Sequence, residues 1–166
     1  MFIINLTRLE SGFLLQVHSM SDLDDIVYKI IEFGSTDYES ELALRDKVLR
    51  KPLGIELSLD RELEKGEIHF GAFYNGSLVA CLVVKTFSDS SAKIRQMAVE
   101  PEFRAKGIGA SLMKAAESYL ETHGVRSISL NAREYALEFY LKLGYQVVGE
   151  RFTEVGIPHF KAVKSV

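Results

Sequence analysis

A two-residue Asn-Gly turn between two apolar stretches is the feature that most constrains how this chain can fold. Apolar side chains occupy every second position over residues 68–74, Asn75-Gly76 follows, and a second apolar stretch covers residues 78–85. Alternation with a period of two is typical of a strand, and Asn-Gly readily adopts the two positive φ angles of a type I′ turn. The sequence therefore predicts an antiparallel hairpin here.

Further strand and helix patterns surround this hairpin. The predicted elements are, in order, a strand over 27–33, a helix over 37–50 opened by a Thr36/Glu39 capping box, a weaker helix over 58–65, the hairpin, a strand over 92–99, a helix from Ile108 to about Gly124, a strand over 125–130, a short helix over 135–143, and closing strands over 145–152 and 157–163. Only the passage from 92–99 to 125–130 is a clear crossover, so these two strands are expected to be parallel neighbours. The order predicts a mixed α/β domain.

The composition is that of one soluble globular domain. The 166 residues carry 20 Lys+Arg and 23 Asp+Glu, a net charge of −3, and 47% of them are hydrophobic. The single cysteine, Cys81, excludes an internal disulfide framework and a cysteine-rich zinc site, and we expect no metal. The chain has no Lys/Arg-rich run and no apolar stretch of about 20 residues. Nucleic acid and membranes are therefore not expected partners, and the expected location is cytoplasmic.

The first 24 residues are predicted to form an extension. Two short β-like stretches, 2–7 and 13–18, surround Glu10-Ser11-Gly12 and predict an added N-terminal β-hairpin. No internal repeat or Pro-rich linker divides the remainder. The expected division is an extension over 1–24 and one domain over 25–166.

A glycine-containing loop at the start of a helix carries the clearest chemical signal. Gly107 and Gly109 stand where the helix from Ile108 begins, and Arg104 and Lys106 precede them. Glycines leave backbone N–H groups unshielded, and the helix dipole places about half a positive charge at this end. A pyrophosphate is the expected ligand, and a purely structural turn is the alternative.

Two motifs resemble those of the GNAT N-acetyltransferase superfamily. Its acetyl-CoA motif, a strand ending in Val-x-Pro and then [Q/R]-x-x-G-x-[G/A] opening a helix, is matched by Val99, Pro101, Arg104, Gly107 and Gly109. Its A-x-x-F-Y-x-K-L-G-[F/Y] segment is matched by Ala136, Phe139, Tyr140, Lys142, Leu143, Gly144 and Tyr145. The similarity covers roughly residues 27–163, and Gly156-Ile157-Pro158-His159 resembles a bacterial subgroup of the family.

The resemblance implies a single GNAT-like domain with a mixed, mostly antiparallel central sheet flanked by helices. It also implies transfer of an acetyl group from acetyl-CoA to a primary amine, by direct attack on the thioester. In the family a backbone N–H of the central strand polarises the thioester carbonyl, the pantetheine arm pairs with that strand, and a tyrosine matched here by Tyr140 protonates the departing thiolate. The positions that this implies for contact with acetyl-CoA are Met97, Ala98, Val99, Arg104, Ala105, Lys106, Gly107, Ile108, Gly109, Ala110, Asn131 and Tyr140.

Several assignments stay open at this level. The amine acceptor is either a small molecule or a peptide. The oligomeric state is also open, with a homodimer as one alternative. The alternative function is that of a non-catalytic sensor that binds acyl-CoA. Periodicity alone favours a core role for Tyr140 over a catalytic one. Many family members have Asn where this chain has Arg133, and the nearest asparagine is Asn131.

The general base and the acceptor site are the least defined parts. The candidate bases are Glu67, His69, Glu100, His159 or a water chain, and water is favoured because the central strand offers no carboxylate. A solvated helix face is expected to contain Arg45, Lys47, Arg50 and Lys51. An acidic stretch contains Glu56, Asp60, Glu62 and Glu64. It is either a surface helix exposed to solvent or a group of charges that attracts the amine acceptor.

Overall fold

The computed structural model describes the backbone of residues 4–9 and 12–17 and, with side chains, residues 25–54 and 64–166. Most of the predicted helix over 58–65 lies outside the described residues, as do Glu56, Asp60 and Glu62. The strands are β1 (Ile4–Leu9), β2 (Gly12–Val17), β3 (Ile26–Ile31), β4 (Ile68–Tyr74), β5 (Ser77–Thr86), β6 (Ser91–Val99), β7 (Ser127–Arg133), β8 (Gln146–Val147), β9 (Phe152–Glu154) and β10 (Ile157–Ser165). The α-helices are α1 (Thr36–Arg45), α2 (Ile108–Thr122) and α3 (Leu137–Lys142). The predicted α/β class, with a mixed and mostly antiparallel sheet, is confirmed.

Two compact units divide the chain within this fold. One contains Met1–Val84 and Gln96–Ala116, and the second contains Lys85–Arg95 and Glu117–Val166. We call them unit 1 and unit 2. Both β6 and α2 contribute residues to each unit.

The strands of unit 1 follow one another in the order β1-β2-β3-β4-β5-β6. The predicted N-terminal hairpin is present, since β1 and β2 pair antiparallel, and β2 continues onto β3. The predicted type I′ turn is confirmed by φ angles of 47° at Asn75 and 77° at Gly76. α1 covers this sheet by packing Tyr38 and Leu42 against buried residues of β3 and β4.

The start of α1 differs from the prediction by one residue. The N-cap is Ser35, whose Oγ accepts the N–H of Tyr38 at 3.2 Å, so the capping box assigned to Thr36 is wrong. Ser35 has the extended backbone that allows this contact, whereas Thr36 is already helical. After Arg45 the chain continues through a π-helical segment, Asp46–Arg50, and a 3₁₀ turn, Lys51–Leu53.

A buried ionic cluster ties α1 to the residues around β4. Arg45 is fully buried, and its Nη2 donates to both carboxylate oxygens of Glu64 at 2.9 Å. Its Nη1 donates to Glu41 at 3.2 Å, and the hydroxyl of Tyr38 donates to Glu64 at 2.7 Å. The expected solvated positions of Arg45 and Glu64 are therefore wrong, because each charge meets a partner inside the core.

The strands of unit 2 confirm the predicted crossover. β6 and β7 pair in parallel from Ser91↔Ser127 to Ile94↔Leu130, and β7 then pairs antiparallel with β10. Of the predicted strand over 145–152, Gln146–Val147 and Phe152 pair with β10. The strand is interrupted at Gly149, where φ is 75°, and β9 pairs with β10 only from Phe152 onward.

Candidate functional site

The second half of β6 contains a left-handed residue. Gln96 has a φ of 53°, which a non-glycine residue rarely adopts, and Met97, Ala98 and Val99 follow it directly. Arg50 Nη2 donates to Gln96 Oε1 at 3.3 Å. The strand end is fixed as well, because the N–H of Glu100 donates to the carbonyl of Val79 at 2.8 Å.

The predicted anion loop leaves β6 and enters α2 within unit 1. The Arg104 Nε–H donates to the carbonyl of Val99 at 3.1 Å, which folds the loop back on the strand end. Ala105 and Gly107 both have positive φ, 57° and 79°. The N–H of Ser111 donates to the carbonyl of Gly107, so the N–H groups before Ser111 have no acceptor within the helix.

The first turn of α2 is anchored while the loop stays exposed. Ile108 is buried, and a side-chain hydrogen bond joins Ser111 to Tyr28 on β3. An additional Cβ at Gly107 would meet no heavy atom within 4 Å, so space is open over the loop. The Lys106 ammonium lies 5.3 Å from the ring centre of Phe103 and adds positive charge there. Helix N–H groups, a cation and open space are what a pyrophosphate requires.

Tyr140 lies in α3, within unit 2. Its half-buried ring meets Phe139 and Tyr145 edge-on, with centroids 5.0 and 6.1 Å apart. Burial raises the pKa of Tyr140 to about 12, Tyr135 adds to the rise, and Arg133 opposes it. The hydroxyl therefore stays protonated at neutral pH and can act as a proton donor.

Asn131 lies on β7, also within unit 2. Its Nδ2 donates to Glu154 Oε2 at 3.1 Å. The side chains of β7 alternate between buried and half-buried, and Asn131 lies on the half-buried face. The predicted site residues thus fall into two groups: the β6 and loop residues in unit 1, and Asn131 with Tyr140 in unit 2.

The candidate bases differ in how they are bound. His69 is buried, with Nδ1 3.0 Å from Glu41 and Nε2 3.1 Å from the carbonyl of Glu64, so it belongs to the ionic cluster. Glu100 is ion-paired with Lys47 at 2.7 Å. His159 lies on β10 with its Nε2 3.9 Å from Glu154. The two histidines differ in their carboxylate neighbours, because Glu154 beside His159 is half exposed whereas Glu41 beside His69 is buried.

Three residues near the site were not predicted as functional. Two of them are Gln96 and Arg50. No sequence pattern indicates the left-handed φ of Gln96, so its contact with Arg50 could not be predicted either. A signal for Glu154 existed, because a two-residue turn at Val155-Gly156 brings positions 154 and 159 onto one face of a hairpin.

Within residues 25–54 and 64–166, no group of three His, Cys, Asp or Glu side chains is arranged to hold a metal ion. Over the same part of the chain, no helix has the length and apolar character needed to cross a membrane.

Comparison with known proteins gives consistent matches. Residues 45–166 match the model of the acetyltransferase (GNAT) domain family. YitI of Bacillus subtilis (strain 168), an uncharacterized N-acetyltransferase, is 30% identical over 138 residues, which cover 77% of this chain and 91% of YitI.

Solved structures share the fold at lower sequence identity. ElaA of Escherichia coli superposes with a TM-score of 0.73 at 21% identity, covering 84% of this chain and 99% of ElaA. The PaiA N-acetyltransferase of Thermoplasma acidophilum, solved in complex with coenzyme A, has a TM-score of 0.65 at 20% identity, covering 84% of this chain and 99% of its own.

Proposed function

Because this chain belongs to the GNAT acetyltransferase family, we propose that it transfers an acetyl group from acetyl-CoA to a primary amine. The observation that carries the proposal is the exposed loop at the start of α2, with two positive φ angles and helix N–H groups beside open space. The coenzyme A bound to the PaiA structure supports the same class of donor.

The loop residues bind the pyrophosphate of acetyl-CoA in this proposal. The N–H groups over Gly107 to Ala110 donate to phosphate oxygens, and Arg104 and Lys106 supply full positive charges. The backbone of Met97, Ala98 and Val99 pairs with the pantetheine arm. The kink at Gln96 interrupts the regular strand just before these positions, which supports this assignment.

Tyr140 acts as the general acid. As the amine attacks the thioester carbonyl carbon, the C–S bond breaks and the sulfur leaves with its electron pair. A phenol held protonated at neutral pH donates its proton to that sulfur. The backbone N–H groups after Gln96 stabilise the negative charge that develops on the carbonyl oxygen.

Direct attack by the amine is supported by the state of the cysteine. Cys81 is the one cysteine of the chain, it is fully buried, and burial raises the pKa of its thiol far above the ordinary value. Because the thiolate is the nucleophilic form, an acetyl-cysteine intermediate is disfavoured.

A panel of primary amines tests the proposal. The protein is mixed with acetyl-CoA and each amine in turn, and free CoA is measured with a thiol reagent. We expect release that depends on both the protein and the amine. Tight binding of acetyl-CoA by calorimetry, without amine-dependent release across a broad panel, would instead identify a sensor of acyl-CoA.

A further inference from the structure

A carboxylate and an imidazole share one face of the β9–β10 hairpin and have no role in the function proposed above. The register pairs Ile157 with Glu154 and His159 with Phe152, so Glu154 and His159 lie on the same face. His159 Nε2 is 3.9 Å from Glu154 Oε2. This is too long for a hydrogen bond but close enough for a charge on one group to act on the other.

The imidazole of His159 is held in one orientation. Its Nδ1–H donates to the carbonyl of Ile157 at 3.0 Å, and its ring stacks on that of Phe152 with centroids 5.8 Å apart. A carbonyl oxygen can only accept, so Nδ1 carries a proton in both charge states of the ring. In the neutral ring the lone pair is then on Nε2, the atom that faces Glu154. A proton taken up at Nε2 is therefore stabilised by a neighbouring carboxylate.

The carboxylate of Glu154 is held from one side and open on the other. Asn131 Nδ2 donates to its Oε2 at 3.1 Å, while 47% of the Glu154 side chain is exposed. A cationic amine arriving from solvent can therefore reach this carboxylate before it reaches His159, which is buried. The arrangement suits a group that attracts an ammonium ion.

Arg133 connects this pair with the proposed acid. It is the cross-strand partner of His159 in the β7–β10 ladder, and its Nη1 donates to the hydroxyl oxygen of Tyr135 at 3.0 Å. Both residues also influence the pKa of Tyr140, which Tyr135 raises and Arg133 lowers. A proton acceptor and a proton donor are thus found near the same end of β7.

Other charges surround His159. The titratable and charged groups on the elements next to it are Glu154 on β9, Arg133 on β7, Glu134 and Tyr135 in the turn after β7, and Lys161 and Lys164 on β10 itself, of which Lys164 is ion-paired with Glu117. Glu134 is ion-paired with Arg151 at 2.8 Å. The carboxylate placed to neutralise a protonated His159 is therefore that of Glu154.

We infer that Glu154 receives the cationic acceptor amine and that His159 Nε2 takes its proton. The inference rests on the proposed function and assigns the base that the sequence left open, in place of a water chain. An ammonium N–H bond breaks and an N–H bond forms at Nε2, which leaves the amine with the lone pair that attacks the thioester. The sulfur takes the proton of Tyr140, the nitrogen of the new amide gives up its second proton to the Tyr140 phenolate, and the imidazolium afterwards returns its proton to solvent.

Nuclear magnetic resonance tests the state of His159 without any acceptor. In ¹⁵N-imidazole-labelled protein we expect neutral His159 to be the Nδ1–H tautomer, with its lone pair on Nε2. An Nε2–H tautomer contradicts the inference, because Nε2 could then take no proton from the amine.

Kinetics with butylamine test the proton transfer. Butylamine is a primary amine whose one polar group is its ammonium group. His159→Gln should lower kcat/KM by about 10²-fold or more and move the ascending limb of its pH profile up to the pH range in which butylamine itself loses its proton. Imidazole added to His159→Ala should restore part of the rate. Glu154→Gln should raise KM for butylamine about tenfold and leave KM for acetyl-CoA unchanged.

A matched control and distinct failures complete the test. His123→Gln changes an exposed histidine stacked on Tyr119 and should keep the wild-type pH profile. If the wild type acetylates butylamine and the ascending limb of His159→Gln stays at the pH where the wild type has it, the inference is wrong while the proposed function stands. If the wild type acetylates no amine, the proposed function fails, and the tautomer of His159 still decides whether the lone pair of the neutral ring faces Glu154.

Discussion

Arg50 Nη2 donates to the side-chain oxygen of Gln96 at 3.3 Å, across 46 residues of sequence, and Gln96 is the left-handed residue of β6. Arg50 ends the π-helical segment Asp46–Arg50, and Lys47 of the same segment is ion-paired with Glu100. One helical segment therefore holds both sides of the strand end that contains Met97, Ala98 and Val99.

Substitutions of Gln96 should show how much the free energy of unfolding depends on which residue occupies this left-handed position. Gln96→Val places a β-branched residue at positive φ and should lower the free energy of unfolding by about 1–3 kcal/mol. Gln96→Asn, which tolerates this φ, is the control and should lose less. Urea denaturation measures both, and equal losses would show that the kink is not strained.

Gly107→Ala should weaken acetyl-CoA binding about tenfold. The added methyl group meets no protein atom, so it extends into the open space where the phosphates bind. Gly34→Ala is a matched control, because Gly34 also has a positive φ, 77°, and open space around it. Calorimetry should show normal affinity for Gly34→Ala, and equal losses in both variants would assign the effect to backbone strain alone.

Tyr140→Phe removes a hydroxyl and keeps the ring contacts with Phe139 and Tyr145. We expect kcat to fall by roughly 10²–10⁴ with little change in KM for acetyl-CoA, because the hydroxyl acts on the leaving sulfur only as the bond breaks. Tyr119→Phe, in α2, is the control and should retain wild-type kcat. A wild-type kcat in Tyr140→Phe would mean that solvent protonates the sulfur.

The buried cluster around His69 predicts a loss of stability at alkaline pH. Burial alone would lower the pKa of His69, but its hydrogen bond to Glu41 and the nearby negative charges raise the pKa above the ordinary 6.5. A raised pKa in the folded state stabilises the fold fully below about pH 6.5. That contribution is lost as pH rises through the folded-state pKa.

Urea midpoints measured from pH 6 upward check this dependence. The wild type should lose stability toward alkaline pH, and His69→Gln should lack that part of the decline. A decline of the same size in both proteins would place its origin elsewhere.

Local patterns in the sequence predicted the elements, and contacts between distant residues account for the differences. The Asn75-Gly76 hairpin and the crossover from β6 to β7 depend on turn chemistry and periodicity, and both are confirmed. Arg45 was expected in solvent because its neighbours in sequence are charged. Its partner Glu64 lies 19 residues away and enters the core with it, which no helical pattern could show.

The candidate site shows the same division. Gly107 and Tyr140 were identified by motifs whose spacing lies within a single loop or helix. Glu154 and Asn131 meet only because β10 pairs with both β9 and β7. Strand order therefore had to be known before these two residues could be recognised as neighbours.

Direct transfer of the acetyl group from acetyl-CoA to an amine is the central claim, and one labelling experiment tests it. The protein is mixed with acetyl-CoA labelled in its acetyl group and with butylamine, and the masses of the amine and of the intact protein are measured together. Label should appear in the amine in proportion to the CoA released, with none on the protein. Label retained on the protein, or CoA released without labelled amine, would contradict direct transfer.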